Sequence, residues 1–203
     1  MLFSNYALGA GVATDLVNTS AAVRVSTGEA LHDPAALARF LDEHGLHLGA
    51  GFRGGRPTDE DLTQVHALRR ETRALLEAAT EDEVADGANR LVRRAATGPA
   101  LLRDADGRWQ WHITTMPRSS VADELAVVVG AGLLGVLHTL SHDRFRHCAS
   151  PVCGGMFVDT SKAGRRRYCM PGLCGNRLNV ANHRARQQRS GEAPAAGRRT
   201  RDH

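Results

Sequence analysis

Lysine is nearly absent from this 203-residue chain: Lys162 stands alone against 25 arginines. Cysteine is almost as sparse, with four residues, all between positions 148 and 174. Aromatic residues make up 4% of the chain, which leaves few platforms for stacking unpaired bases. No apolar run reaches the roughly 20 residues of a membrane span, and the longest, Leu125 to Leu140, reads as core. The first 20 residues carry no basic leader and meet Asp15 early, so no secretory signal is predicted and the cytoplasm is the expected location. There a disulfide framework is disfavoured, because thiols stay reduced. The G-x-S-x-G elbow is missing, and four clustered cysteines single out no reactive thiol. Nothing in the first 143 residues announces an enzyme, and none is expected.

What is present is unevenly placed. From Arg144 to His203 there are 13 basic and three acidic residues, whereas the first 143 residues hold 13 basic and 19 acidic. An acidic body therefore carries a strongly basic end, the asymmetry of a chain whose partner is nucleic acid or another anionic surface. A coding bias toward arginine explains the missing lysines. It does not explain why acids vanish from one end.

The body reads as helical. Pro34 to Gly45 has proline in the first turn, an apolar stripe of Leu37, Phe40 and Leu41, and a terminating glycine. Thr58 caps a second helix with acids in its first turn and Leu62, Val65, Leu68, Leu75 and Leu76 at helical spacing. Residues 82–96 give a third, weakened by Gly87. The period then changes: Trp109, Trp111 and Ile113 alternate with polar residues after Asp106-Gly107, predicting a two-stranded hairpin. A long apolar helix follows from Ser120 to about Ser141, opened by a Ser120…Asp123 cap. Beyond Ser190 the chain has almost nothing to bury and is expected to be a disordered tail.

Two patterns mislead. "VVVGAGLLG" (Val127 to Gly135) matches the dinucleotide-binding G-x-G-x-x-G, but a helix cap lies only seven residues before Val127 and no acid ends a second strand at the required distance. Small residues packing a buried helix are the expectation. His138 and His142 share a helical face, yet no glutamate follows His138, so the metalloprotease pattern fails.

The cysteines run Cys148-x4-Cys153-x15-Cys169-x4-Cys174. Two close pairs joined by a loop are what a tetrahedral four-thiolate site requires, and such a closed site holds zinc structurally. Pro151 and Pro171 set turns inside the pairs, and Gly154, Gly155 and Gly175 follow them. Between the pairs, Met156 to Val158 and the residues around Tyr168 read as two strands of a zinc-ribbon-like hairpin. So small a segment depends on one Zn2+ for its fold, by on the order of 10 kcal/mol. Asn176 then caps a helix bearing Arg177, Arg184, Arg186 and Arg189, while Arg165, Arg166 and Arg167 precede Cys169. Guanidinium forks in such number fit phosphate.

The stretch "CASPVCGGMFVDTSKAGRRRYCMPGLCGNRLNVANHRAR" closely resembles the CGNR zinc finger, named for what stands here as Cys174-Gly175-Asn176-Arg177. Upstream, "ATDLVNT" (Ala13 to Thr19) followed by "LARFLDEHGL" resembles the opening of the mostly helical ABATE domain. The resemblance implies a bacterial transcription regulator with zinc on Cys148, Cys153, Cys169 and Cys174, a DNA-binding finger and a body that senses or associates.

The expected fold is thus a mainly α, multihelical N-terminal domain with a small β-hairpin (1–143), a zinc-ribbon-like finger with a basic helix (144–189) and a tail (190–203). The expected function is a zinc-dependent DNA-binding regulator. Arg165, Arg166, Arg167, Asn176, Arg177, Arg184 and Arg186 face nucleic acid, Asp15 and Asn18 line a pocket for a small-molecule effector, and the body dimerises along an apolar face. The competing class is a protein-interaction or small-molecule-binding module in which zinc is purely architectural.

Overall fold

A computed structural model describes residues 6–46, 48, 56–103 and 105–175. The fold is about half helical. Five helices, α1 (Tyr6–Val17), α2 (Pro34–Glu43), α3 (Asp59–Leu76), α4 (Glu81–Arg93) and α5 (Val121–Thr139), are joined by two antiparallel strand pairs. The first pair is β1 (Ala96–Arg103) with β2 (Trp109–Thr115), and the second is β3 (Phe145–His147) with β4 (Met156–Val158).

Local chemistry starts α2, α3 and α5 where the sequence predicts, and α4 one residue earlier than expected, ending at Arg93 rather than at 96. Asp33 accepts from the Ala36 N–H ahead of α2, and Thr58 and Thr80 form reciprocal capping boxes with Asp61 and Glu83. Ser120 accepts from the Asp123 N–H to open α5. The β1–β2 turn passes through Gly107 at φ +78°, a conformation natural to glycine. The helix over Tyr6–Val17 has no counterpart in the sequence reading. It is apolar on nearly every face, so no amphipathic stripe announces it.

α5 is the axis of the core. Leu125, Val129, Leu133 and Val136 are fully buried, and α1 and α4 pack along it. By length and composition it is apolar enough to cross a membrane, yet 67% of its most apolar window is buried among the other elements. The misleading glycines set how closely those neighbours approach. A Cβ on Gly132 would lie 2.4 Å from the Gly9 carbonyl carbon of α1, and one on Gly130 2.7 Å from the Ala88 oxygen of α4. Backbone touches backbone here, so the stripe is a packing device. His142 likewise takes a structural partner, its Nε2 lying 3.1 Å from the Ala78 carbonyl.

Strand β4 joins the finger to the body through its period of two. Met156 and Val158 enter the main core with α1 and α5, while Phe157 turns to the opposite face and packs with Cys148, Cys169 and Cys174. One strand therefore serves two cores.

Candidate metal centre

The predicted pairing inside the finger needs correction. Met156–Val158 is a strand, but its partner is Phe145–His147, upstream of the first cysteine, and no strand forms around Tyr168. Cys148 and Cys153 thus sit in the connection between β3 and β4. The 159–168 loop is tied instead through side chains, with one cross-link from the Ala149 N–H to the Arg167 carbonyl at 2.8 Å.

Asp159 organises that loop. Fully buried, its carboxylate accepts from the Ser161 N–H (3.0 Å) and hydroxyl (2.6 Å), the Arg166 N–H (3.0 Å) and Arg146 (3.3 Å). Burial alone would raise its pKa, but these donors hold it below the usual carboxylate range. Around it, Arg144 donates to the Ser161 carbonyl, Arg146 to the Gly164 carbonyl, and Arg166 to the carbonyls of Tyr168 and Cys169. The Arg166 guanidinium also lies over the Phe157 ring, 4.8 Å from its centroid. Three of the finger's arginines are therefore internal braces.

The braced loops bring all four sulfurs within 4.8 Å of one another. Cys153–Cys169 is 3.6 Å, and Cys169–Cys174 and Cys174–Cys153 are each 3.7 Å. No disulfide joins them. A tetrahedron with Zn–S bonds of about 2.3 Å has edges of about 3.8 Å, so these separations fit a single zinc ion. The acid–base chemistry agrees. Burial pushes the Cys169 thiol far up, with the Cys148 charge adding to it, and burial with Cys153 beside it raises Cys174 to about 11. Cys148 moves down because backbone N–H groups of Cys169 and Ser150 outweigh its burial. Four crowded sulfurs cannot all ionise beside one another, and a divalent cation removes that conflict. The cluster is built to hold one zinc ion.

Gly155 is the residue that permits this packing. A Cβ there would fall 2.6 Å from the Cys169 Sγ, 2.7 Å from the Asn18 Oδ1 and 3.1 Å from the Cys153 Sγ. Its N–H points at the Cys153 Sγ, 3.4 Å away.

The "ATDLVNT" stretch now has a physical role. Thr14 of α1 and Asn18, directly after its last residue and four positions on, face the free edge of β4. Thr14 Oγ1 accepts from the Val158 N–H at 2.9 Å. Asn18 accepts from the Met156 N–H at 3.2 Å and donates to the Met156 carbonyl at 2.6 Å. Four helical residues rise about 6 Å and two strand residues about 6.7 Å, so two side chains stand where a third strand would pair. Arg73 of α3 adds a bond to the Gly154 carbonyl at 2.8 Å.

Of the remaining predicted site residues, Arg165 and Arg167 are exposed and pair with no carboxylate among the described residues, while Arg166 turns inward. Asn176, Arg177, Arg184 and Arg186 lie outside the described residues, as do the basic helix and the tail. Asp15 and Asn18 both line a cleft of about 370 Å³ between α1, the 18–31 segment, α2 and Met170 of the finger. Sequence reasoning did not single out Thr14, Asp159, Arg146 or Gly155 for the roles they take. Asp159 and Ser161 stand within the stretch that resembles the CGNR finger, but nothing local there reveals that they fold the loop.

Two family models match the chain. One, ABATE, carries the description "Putative stress-induced transcription regulator" and matches residues 10–138. The other is the CGNR zinc finger, over residues 144–187, which contains all four cysteines. No curated protein matches the chain. With well over half its length matched by the first model and its metal cluster by the second, the chain belongs to the ABATE family and ends in a CGNR zinc finger.

Proposed function

We propose that the protein is a zinc-dependent, DNA-binding transcription regulator whose finger contacts the duplex and whose helical body responds to a small molecule or to a second copy of itself. The carrying observation is the division of labour within Arg165–Arg167. Arg166 anchors the loop to Phe157 and to the Tyr168 and Cys169 carbonyls, while Lys162, Arg165 and Arg167 of the same braced loop are exposed. Cations on a braced loop, unpaired with any carboxylate among the described residues, suit phosphate, because little loop ordering remains to oppose binding. Arg177, Arg184 and Arg186 would extend the surface, and Asn176 would reach a base edge.

The test is retention on duplex DNA across a salt series. Five arginines on five phosphates predict a log–log slope of about −4.5. The double variant R165Q/R167Q should flatten that slope by about two while keeping zinc. A wild-type slope near zero would refute DNA binding and favour the alternative, an interaction module meeting an acidic protein surface.

A further inference from the structure

We propose that the β1–β2 hairpin is a dimerisation surface, and that its occupant is the same hairpin face of a second copy of this chain. This assigns residues to the second-copy half of the reading above and rests on it.

In the β1–β2 ladder Pro99 stands opposite Ile113, Leu101 opposite Trp111, and Arg103 opposite Trp109. Opposed residues, and every second residue along a strand, share a face, so these six side chains form one row of three pairs. The row starts in the core and ends outside it. Ile113 is buried with Ala95 and with Val127 of α5. Farther along the same strand Trp111 is 57% exposed and Trp109 55%, and Leu101 beside them is 44% exposed. Both tryptophans of the chain therefore stand on this one face. A two-stranded hairpin is marginal in water unless something packs on its apolar face, and here the body covers only the base. Arg103 keeps the outer end ordered: its guanidinium lies 4.3 Å from the Trp109 ring centroid and donates to the Gly107 carbonyl. Side chains fixed before contact lose little freedom on binding.

Area and charge select the occupant. At about 250 Å² for a whole indole side chain, the two tryptophans and Leu101 leave about 350 Å² open, the size of the largest apolar patch on a typical monomer. Two such faces laid together by a two-fold axis cover about 700 Å², and the rim need add only about 300 Å² to reach what a specific interface requires. That is the low end of the range, so the association is reversible and depends on concentration. Residues 96–115 hold two arginines and two aspartates, and Arg108 pairs with Asp106 at 2.6 Å. No surplus of either sign directs this face to a phosphate backbone or to an acidic protein. With the hairpins antiparallel, each Arg103 would lie over the Pro99–Ile113 end of the other copy, which keeps the two guanidiniums apart.

Sedimentation velocity on the zinc-loaded full chain, without DNA, reads the assembly, and tryptophan emission reads the face, because the chain has no other indole. With rising concentration the mass should climb from 21.8 kDa to twice that value, and the emission should shift to the blue along the same curve. Trp111→Thr and Leu101→Thr should each raise the dissociation constant at least tenfold, as central interface residues do. Leu102→Thr, on the opposite face of the same hairpin and 46% exposed, should leave it unchanged. Threonine suits a strand, and zinc content with circular dichroism reports whether each variant keeps its fold. Should a variant unfold, the wild-type emission curve decides. A chain monomeric at every concentration, a mass that doubles while the emission stays fixed, wild-type association in L101T/W111T, or an equal loss in Leu102→Thr would overturn the proposal. So would blue emission at monomer mass, which gives the face to another segment of this chain. Quenching by oligothymidylate without dimerisation would give it to single-stranded nucleic acid instead. Failure to bind duplex DNA with the doubling of mass intact removes the DNA reading and leaves this surface standing, and a monomer that binds DNA removes this surface alone.

Discussion

Replacing Asn18 with alanine should do more damage than the loss of one small polar side chain implies. The amide serves both polar groups of Met156, whose residue is 1% exposed, at 2.6 and 3.2 Å. In the β3–β4 ladder these two groups point away from β3, and α1 supplies their partner. Alanine leaves a buried N–H and a buried C=O unpaired, and each such group costs about 1–3 kcal/mol. With partial relaxation the sum is about 2–4 kcal/mol, or roughly 6–12 °C in Tm for a domain of this size. Thermal unfolding of the zinc-loaded protein, followed by circular dichroism, measures it. The same substitution should speed zinc release to a chelator, because β4 runs straight out of Gly155, whose N–H faces the Cys153 sulfur. A Tm within about 1 °C of wild type, given the per-group cost above, would show that Asn18 does not fasten the finger to the body.

Zinc removal should reach past the finger: since Met156 and Val158 lie in the main core, stripping the metal should lower the Tm of the helical body too, and a body melting unchanged would contradict this. Gly155→Ala should weaken zinc binding at least tenfold in chelator competition, since its Cβ would lie 2.6 Å from the Cys169 sulfur, and wild-type zinc affinity would show that the sulfur cage yields. The Asp15–His44 pair should make stability depend on pH in one direction. Its hydrogen bond to Asp15 raises the His44 pKa, so its contribution is complete below the unfolded value of about 6.5 and fades as pH rises through the raised value. Asp15→Asn should therefore lower Tm most in mildly acidic buffer and little in alkaline buffer, and an equal loss at both would refute the pairing.

Much of this molecule is written in local chemistry. Thr58, Thr80 and Ser120 cap helices with their own neighbours, Asp106-Gly107 makes its own turn, and the cysteine spacing states a four-sulfur site, because each of these depends on residues a few positions apart. The zinc ligands and the family were legible for the same reason. What the sequence concealed is everything that acts across it. Helix α1 carries no periodic signal because it is enclosed on most sides. The strand partner of Met156–Val158 proved to be Phe145–His147, since Asp159 and the arginines around it claim the 159–168 loop before a second strand can form there. Three adjacent arginines look alike in one dimension, yet Arg166 turns inward to Phe157 while its neighbours face solvent. Thr14 and Asn18 acquire meaning only when a strand 138 residues or more away lies along their helix. Caps, turns and ligand spacing are set by short-range geometry and survive as pattern. The docking of finger on body is set by unpaired backbone groups seeking buried partners, and only the folded chain decides which side chain meets them.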